Sequence, residues 1–93
     1  MPDLMFEIWE DPEHLSVEMS AVSKQADKLR RQISPNATCV HSFVALSKFE
    51  AFQMNNDWHG WGNWKPPENV PNDQFTEEQV LEQRRYLAKR QID

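Results

Sequence analysis

The segment EDPEHLSVEM (residues 10–19) has two structural readings, and they lead to different folds. In the first it opens a helix, with Asp11 as N-cap and Pro12 at the first helical position, where a missing N–H is harmless. Apolar residues Leu15, Met19, Val22, Ala26, Leu29 and Ile33 then recur at helical spacing. In the second, EDPE is a turn and HLSVEM (14–19) is a strand with Leu15, Val17 and Met19 on one face. The run before it, LMFEIW (4–9), alternates as a half-buried strand does, with Leu4, Phe6 and Ile8 inward. Folding one run onto the other pairs Ile8 with Leu15, Phe6 with Val17 and Leu4 with Met19, so one register gathers the large apolar residues. The hairpin also supplies a third strand, and a sheet of two is rarely stable alone. The hairpin is therefore preferred.

Downstream the signals are local. A helix is expected over residues 21–33, with Ser20 as its cap, ending at Ser34 because Pro35 biases that residue away from helical angles. TCVHSFVA (38–45) is β-branched, aromatic and apolar on both faces, the pattern of a central strand covered on both sides. SKFE (47–50) is a capping box opening a helix that carries Phe49, Phe52, Met54 and Trp58, with Gly60 as its left-handed stop. Residues 62–74 hold three prolines and read as an ordered loop. FTEEQV (75–80) combines a Thr76–Gln79 capping box with a Phe75–Val80 staple, and starts a helix over residues 77–91. The expected architecture is a single small α+β domain over residues 1–93. It has a three-stranded, mainly antiparallel sheet, order β-β-α-β-α-α along the chain, packed with two or three helices.

Composition narrows the function classes. The chain has 93 residues, a net charge of −5 and one cysteine, Cys39, so no intramolecular disulfide can form. A negative total argues against nucleic-acid binding, in which released counterions supply most of the affinity. No apolar run approaches the roughly 18 residues of a membrane span. The acidic start lacks the basic-then-apolar pattern of a signal peptide. No membrane partner is expected, and the cytoplasm is the default location.

The chemistry-bearing stretch is DWHGWGNWKPP (57–67), with three of the four tryptophans. Trp58 is expected to end its helix facing the core. Trp61 and Trp64 remain uncommitted between covering this protein and meeting another molecule. Tryptophan is favoured at binding hot spots because it is large, rigid and carries one donor. His59, Asp57 and Asn63 beside the indoles would orient a partner or a flat polar ligand, and KPP stiffens the loop. Arg84 falls in the middle of the last helix's apolar stripe (Val80, Leu81, Leu87, Ala88, Ile92), so it must pair with an acid such as Asp57 or Glu50, or hold an anion near the tryptophan loop. A second surface is expected on the polar face of the hairpin: Glu7, Glu18, Trp9 and His14, with Trp9 and His14 cross-strand neighbours. This would be an acidic docking patch for a basic partner.

His14, Cys39, His41, Asp57 and His59 could ligate a metal, and Cys39 and His41, two apart on a strand, would share a face. None of the paired spacings of zinc sites is present, so no metal and no cofactor are expected. The same pair lacks the activated thiolate and oxyanion hole of a nucleophilic site. The preferred function is a non-enzymatic interaction or regulatory module of adaptor, inhibitor or immunity type, with another protein as partner. A homodimer is a further expectation, because a thin helix layer leaves sheet surface open. The alternative is a small-ligand or carbohydrate binder, or a minor enzyme, using Asp57, His59 and Arg84.

Overall fold

A computed structural model describes residues 2–90, so Ile92 of the expected apolar stripe lies outside the described residues. The elements are β1 (Leu4–Asp11), β2 (Ser16–Ala21), α1 (Lys24–Ile33), β3 (Thr38–Ala45), α2 (Lys48–His59) and α3 (Glu77–Lys89). The three strands form one antiparallel sheet in the order β2-β1-β3, and with the helices they make an α+β fold. The hairpin is present, but its register differs from the expected one. Ile8 lies opposite Met19, Phe6 opposite Ala21 and Glu10 opposite Val17.

Turn chemistry sets that register. β1 runs on to Asp11, whose carboxylate accepts from the Glu13 N–H at 3.0 Å and meets the His14 ring at 2.7 Å. This Asx-type turn occupies residues 12–15 and leaves Leu15 at φ 51°, 91% exposed rather than inward. The displacement is four residues, an even number, so Met19 still shares a face with Phe6 and Ile8. Trp9 therefore faces Glu18, and His14 belongs to the turn.

β3 is an edge strand; β1 is the central one. Its pairing with β1 slips at Val40: Ile8 lies opposite His41 but Trp9 lies opposite Cys39. The extra residue puts Cys39 and His41 on opposite faces, which dissolves the expected shared pair.

The helices begin where their caps dictate. β2 extends to Ala21, so Ser23 rather than Ser20 caps α1, accepting from the Ala26 N–H at 3.0 Å. Ser47 accepts from the Glu50 N–H at 3.2 Å, while Glu50 reaches back to the Leu46 N–H instead of the cap residue. Thr76 and Gln79 form the full reciprocal box expected of them. Each such cap contributes about 1 kcal/mol.

One face of the sheet carries the apolar core. Leu4, Phe6 and Ala45 pack against Ala51 of α2, Val80 of α3 and Phe75, with Met19, Phe43 and Met54 at the margin. Phe6 stacks on Phe43 at 5.6 Å and leans on Phe75 at 5.8 Å.

The other face is covered by charge. Glu7 and Trp9, expected on an exposed acidic patch, are both buried. α1 turns its polar side inward: Asp27 and Arg30 are buried, whereas Leu29 and Ile33 are exposed. The Arg30 guanidinium lies 3.5 Å from the centroid of the Trp9 ring, whose Nε1–H donates to Glu7 at 3.0 Å. Arg90 donates to both Glu7 and Asp27, and Asp27 also accepts from Arg30 and from the Tyr86 hydroxyl. Two cations and two carboxylates close this cluster, so its charges sum to zero.

On α3 the inward residue is Gln83, not Arg84. Gln83 accepts from the Met5 N–H at 2.8 Å and donates to Met5 O and Val22 O at 2.9 and 3.0 Å, clamping the helix to the open end of the hairpin. Arg84, with Leu81 and Ala88, is exposed.

Candidate functional site

The last turns of α2 and the loop after it carry an aromatic surface. Ala51, Met54 and Trp58 share one stripe of the helix, at i, i+3 and i+7. The first two reach the core, but the stripe runs past the end of the core, and Trp58 lands on β3. Its indole stacks on His41 at 5.3 Å and 15°, leaving Trp58 41% exposed, contrary to the expected core position. Gly60 then takes φ 73°, and the Trp61 N–H returns to Asn56 O at 2.9 Å, a left-handed helix stop. This reversal lays Trp61 flat on His59, with centroids 4.0 Å apart at 11°, and Trp61 stays 60% exposed. His59 also meets Trp58 edge-on at 5.0 Å. His41, Trp58, His59 and Trp61 thus form a continuous ladder of rings beside the open edge of β3.

Trp64 has the opposite fate. It stacks on Phe52 at 4.8 Å and meets Phe49 edge-on at 5.1 Å, half-buried, so it covers this protein. The groove below it, about 440 Å³, is walled by Phe49, Phe52, Trp64, Pro67, Val70 and Phe75.

One residue that sequence reasoning missed fastens the loop. Gln53 Nε2 donates to Asp57 Oδ1 at 2.8 Å and to Gly62 O at 3.3 Å, while Gln53 Oε1 accepts from the Trp64 N–H at 2.9 Å. A glutamine in mid-helix carries no distinctive signal; its role depends on a loop that returns 11 residues later. Asp57 is exposed and accepts this one hydrogen bond from Gln53 at the surface, and Asn63 is exposed as well. His59 Nε2 and Asn55 Oδ1 are buried with no hydrogen-bond partner among the described residues.

The expected grouping of Asp57, His59 and Arg84 does not form around one cavity. Arg84 borders a shallow depression with Pro2, Asp3, Glu77 and Leu81, and no ion pair joins it to Asp57 or Glu50 among the described residues.

Of the proposed metal ligands, His14 instead approaches Asp11 and Glu13, with ligand atoms within 4.8 Å. The His14 hydrogen bond holds the Asp11 carboxyl below its ordinary pKa, and the same bond raises that of His14. These three residues serve the turn. Cys39 donates its thiol to His41 O at 3.7 Å; desolvation, then the negative charge of Glu7, push its pKa up, away from a reactive thiolate.

The buried cluster has its own electrostatics. Burial would raise the Asp27 carboxyl, but donation from Arg90, Tyr86 and Arg30 outweighs it and holds the pKa at about 2. Hydrogen bonding to Glu7 raises that of Arg90 despite burial. Burial, together with the Asp27 hydrogen bond, raises that of Tyr86.

Comparison with known protein families, with curated proteins and with solved structures finds no match to this chain. No helix among the described residues is long and apolar enough to cross a membrane.

Proposed function

We propose that this chain is a non-enzymatic protein-interaction module whose recognition surface is the ring ladder His41–Trp58–His59–Trp61 at the edge of β3. The observation that carries this reading is the exposure of two indoles, 41% for Trp58 and 60% for Trp61, on a frame that is already ordered. Stacking on histidines fixes both rings, while the Gly60 stop and the Gln53 hydrogen bonds fix the backbone beneath them. A rigid aromatic surface loses little entropy on binding, so less of its interaction energy is spent on ordering. The adjacent free edge of β3, with Val40 and Val44 exposed, offers backbone donors and acceptors to an extended partner segment. Trp64, packed on Phe49 and Phe52, lies outside this surface.

The double variant Trp58→Ala/Trp61→Ala tests the proposal. Its thermal midpoint stays within about 8 °C of wild type, the shift that ~1 kcal/mol gives a domain of this size. At the same time it loses the protein partner that wild type retains from an extract of its source cells. A midpoint drop of more than about 15 °C would make these indoles part of the core. Unchanged retention of every partner would remove them from recognition. Sedimentation velocity at micromolar concentration distinguishes a second copy of the chain from a different partner: a dimer that the double variant abolishes assigns the surface to self-association.

A further inference from the structure

We propose that the cleft between α1 and α3 binds a compact polyanion with two or more linked phosphates, as in the tail of a nucleoside triphosphate or a short linear polyphosphate. This site lies apart from the ring ladder and is independent of its function. The cleft measures about 550 Å³. α1 lines it with Lys24, Lys28 and Arg31, spaced i, i+4 and i+7 on one helix face; the end of α3 lines it with Tyr86 and Lys89, and its C-cap residue Arg90 completes the wall. Among the described residues, no acidic side chain lines it.

That concentration of positive charge runs against the whole molecule, whose net charge is −5. Like charges one helical turn apart, as at Lys24 and Lys28, disfavour the helix unless an anion lies between them. The buried carboxylates of Glu7 and Asp27 are already neutralised by Arg90 and Arg30. Lys24, Lys28 and Lys89 form no ion pair among the described residues. The floor is fixed, since Arg90 is held by both carboxylates and the Tyr86 hydroxyl by Asp27. Three mobile ammonium groups therefore stand around a rigid base, drawn from two helices.

A single phosphate would occupy a small part of this volume and reach one wall. Linked phosphates can touch both helices at once, and a charge of three or more matches the unpaired lysines. An extended duplex is disfavoured, because the chain as a whole carries a net charge of −5.

Calorimetric titration of the full chain with tripolyphosphate and, separately, with ATP tests the site, in low-salt buffer without divalent metal. Each probe is expected to bind at one site, with an affinity that falls steeply as salt rises. The variant Lys24→Gln/Lys28→Gln/Lys89→Gln binds at least tenfold more weakly, whereas Lys48→Gln/Lys65→Gln binds as wild type does. All five lysines are exposed, so both variants should keep the wild-type melting midpoint, and the single charge reversal Lys28→Glu gives a second measure of the same loss. Equal affinity for the two probes assigns the phosphate chain alone, and tighter ATP binding assigns a nucleotide; either supports the proposal. It is overturned if neither probe binds at millimolar concentration, or if both multiple variants lose affinity equally. It is also overturned if a single- or double-stranded oligonucleotide binds and tripolyphosphate cannot compete with it.

Discussion

Arg90 donates two hydrogen bonds to each of Glu7 and Asp27, and its side chain is almost wholly buried, as are theirs. Such a cluster adds little net stability over an apolar substitute, but removing one member strands the others. Arg90→Ala is therefore expected to lose about 3–5 kcal/mol in urea unfolding. Asp27 gives the cluster a pH signature. Its folded pKa of about 2 lies below the ordinary aspartate value of about 3.9, so its contribution is present above pH ~4 and is lost as pH falls toward 2. The shift corresponds to roughly 2 kcal/mol at neutral pH. Asp27→Asn should flatten the stability profile across that window, and an unchanged acid slope would assign the effect to another group. At the loop, Gln53→Ala removes the acceptor of the Trp64 N–H, and the exchange of that amide should quicken by roughly tenfold, for ~1.4 kcal/mol of lost protection. Neither residue was legible in the sequence. Glu7 alternates onto the polar side of its strand and Gln53 sits in mid-helix, so each looks like surface until a distant partner is brought to it.

At the scale of elements, legibility followed the range of the interaction. The Ser47 and Thr76 caps, the Phe75–Val80 staple and the alternation of LMFEIW act within a few residues, and they locate the starts of α2, α3 and the first strand, whereas α1 begins three residues later than expected. The hairpin register did not follow from apolar pairing, because Asp11 stabilises a turn that exposes Leu15. A leucine in the left-handed region costs about 1–2 kcal/mol, and glycine there gives back roughly 0.5–1 in backbone entropy. Leu15→Gly is thus expected to stabilise by about 0.5 kcal/mol. A loss of stability would mean that the exposed side chain contacts something in solution. β3 was misplaced for a related reason: its apolar sequence marks a covered strand, yet it is an edge. Two residues that this pattern would cover, Val40 and Val44, stay exposed on the edge strand, and an exposed apolar edge favours pairing with another chain. α1 shows the complementary error, since hydrophobic periodicity cannot reveal a helix that docks by its charged side.

The whole molecule has two unlike halves, one face of the sheet held by apolar packing and the other by a neutral set of charges. The candidate site was half legible: the tryptophan stretch was found from its composition, but which indoles point outward depended on where α2 ends relative to the core. Acrylamide should quench Trp58 and Trp61 and spare Trp9, which lies beneath Arg30; a quenchable Trp9 would show that the charged half opens in solution. That half also has a history in time. Glu7 and Arg90 are 83 positions apart, so a ribosome adding 5–20 residues per second places them about 4–17 s apart. During that interval the nascent chain has its first strand and first helix, with Arg30 beside Asp27, but not the cation that joins Glu7 to Asp27. β1 and α1 must stay wet and separate until the end of α3 emerges, and only then can the charged side of the sheet close.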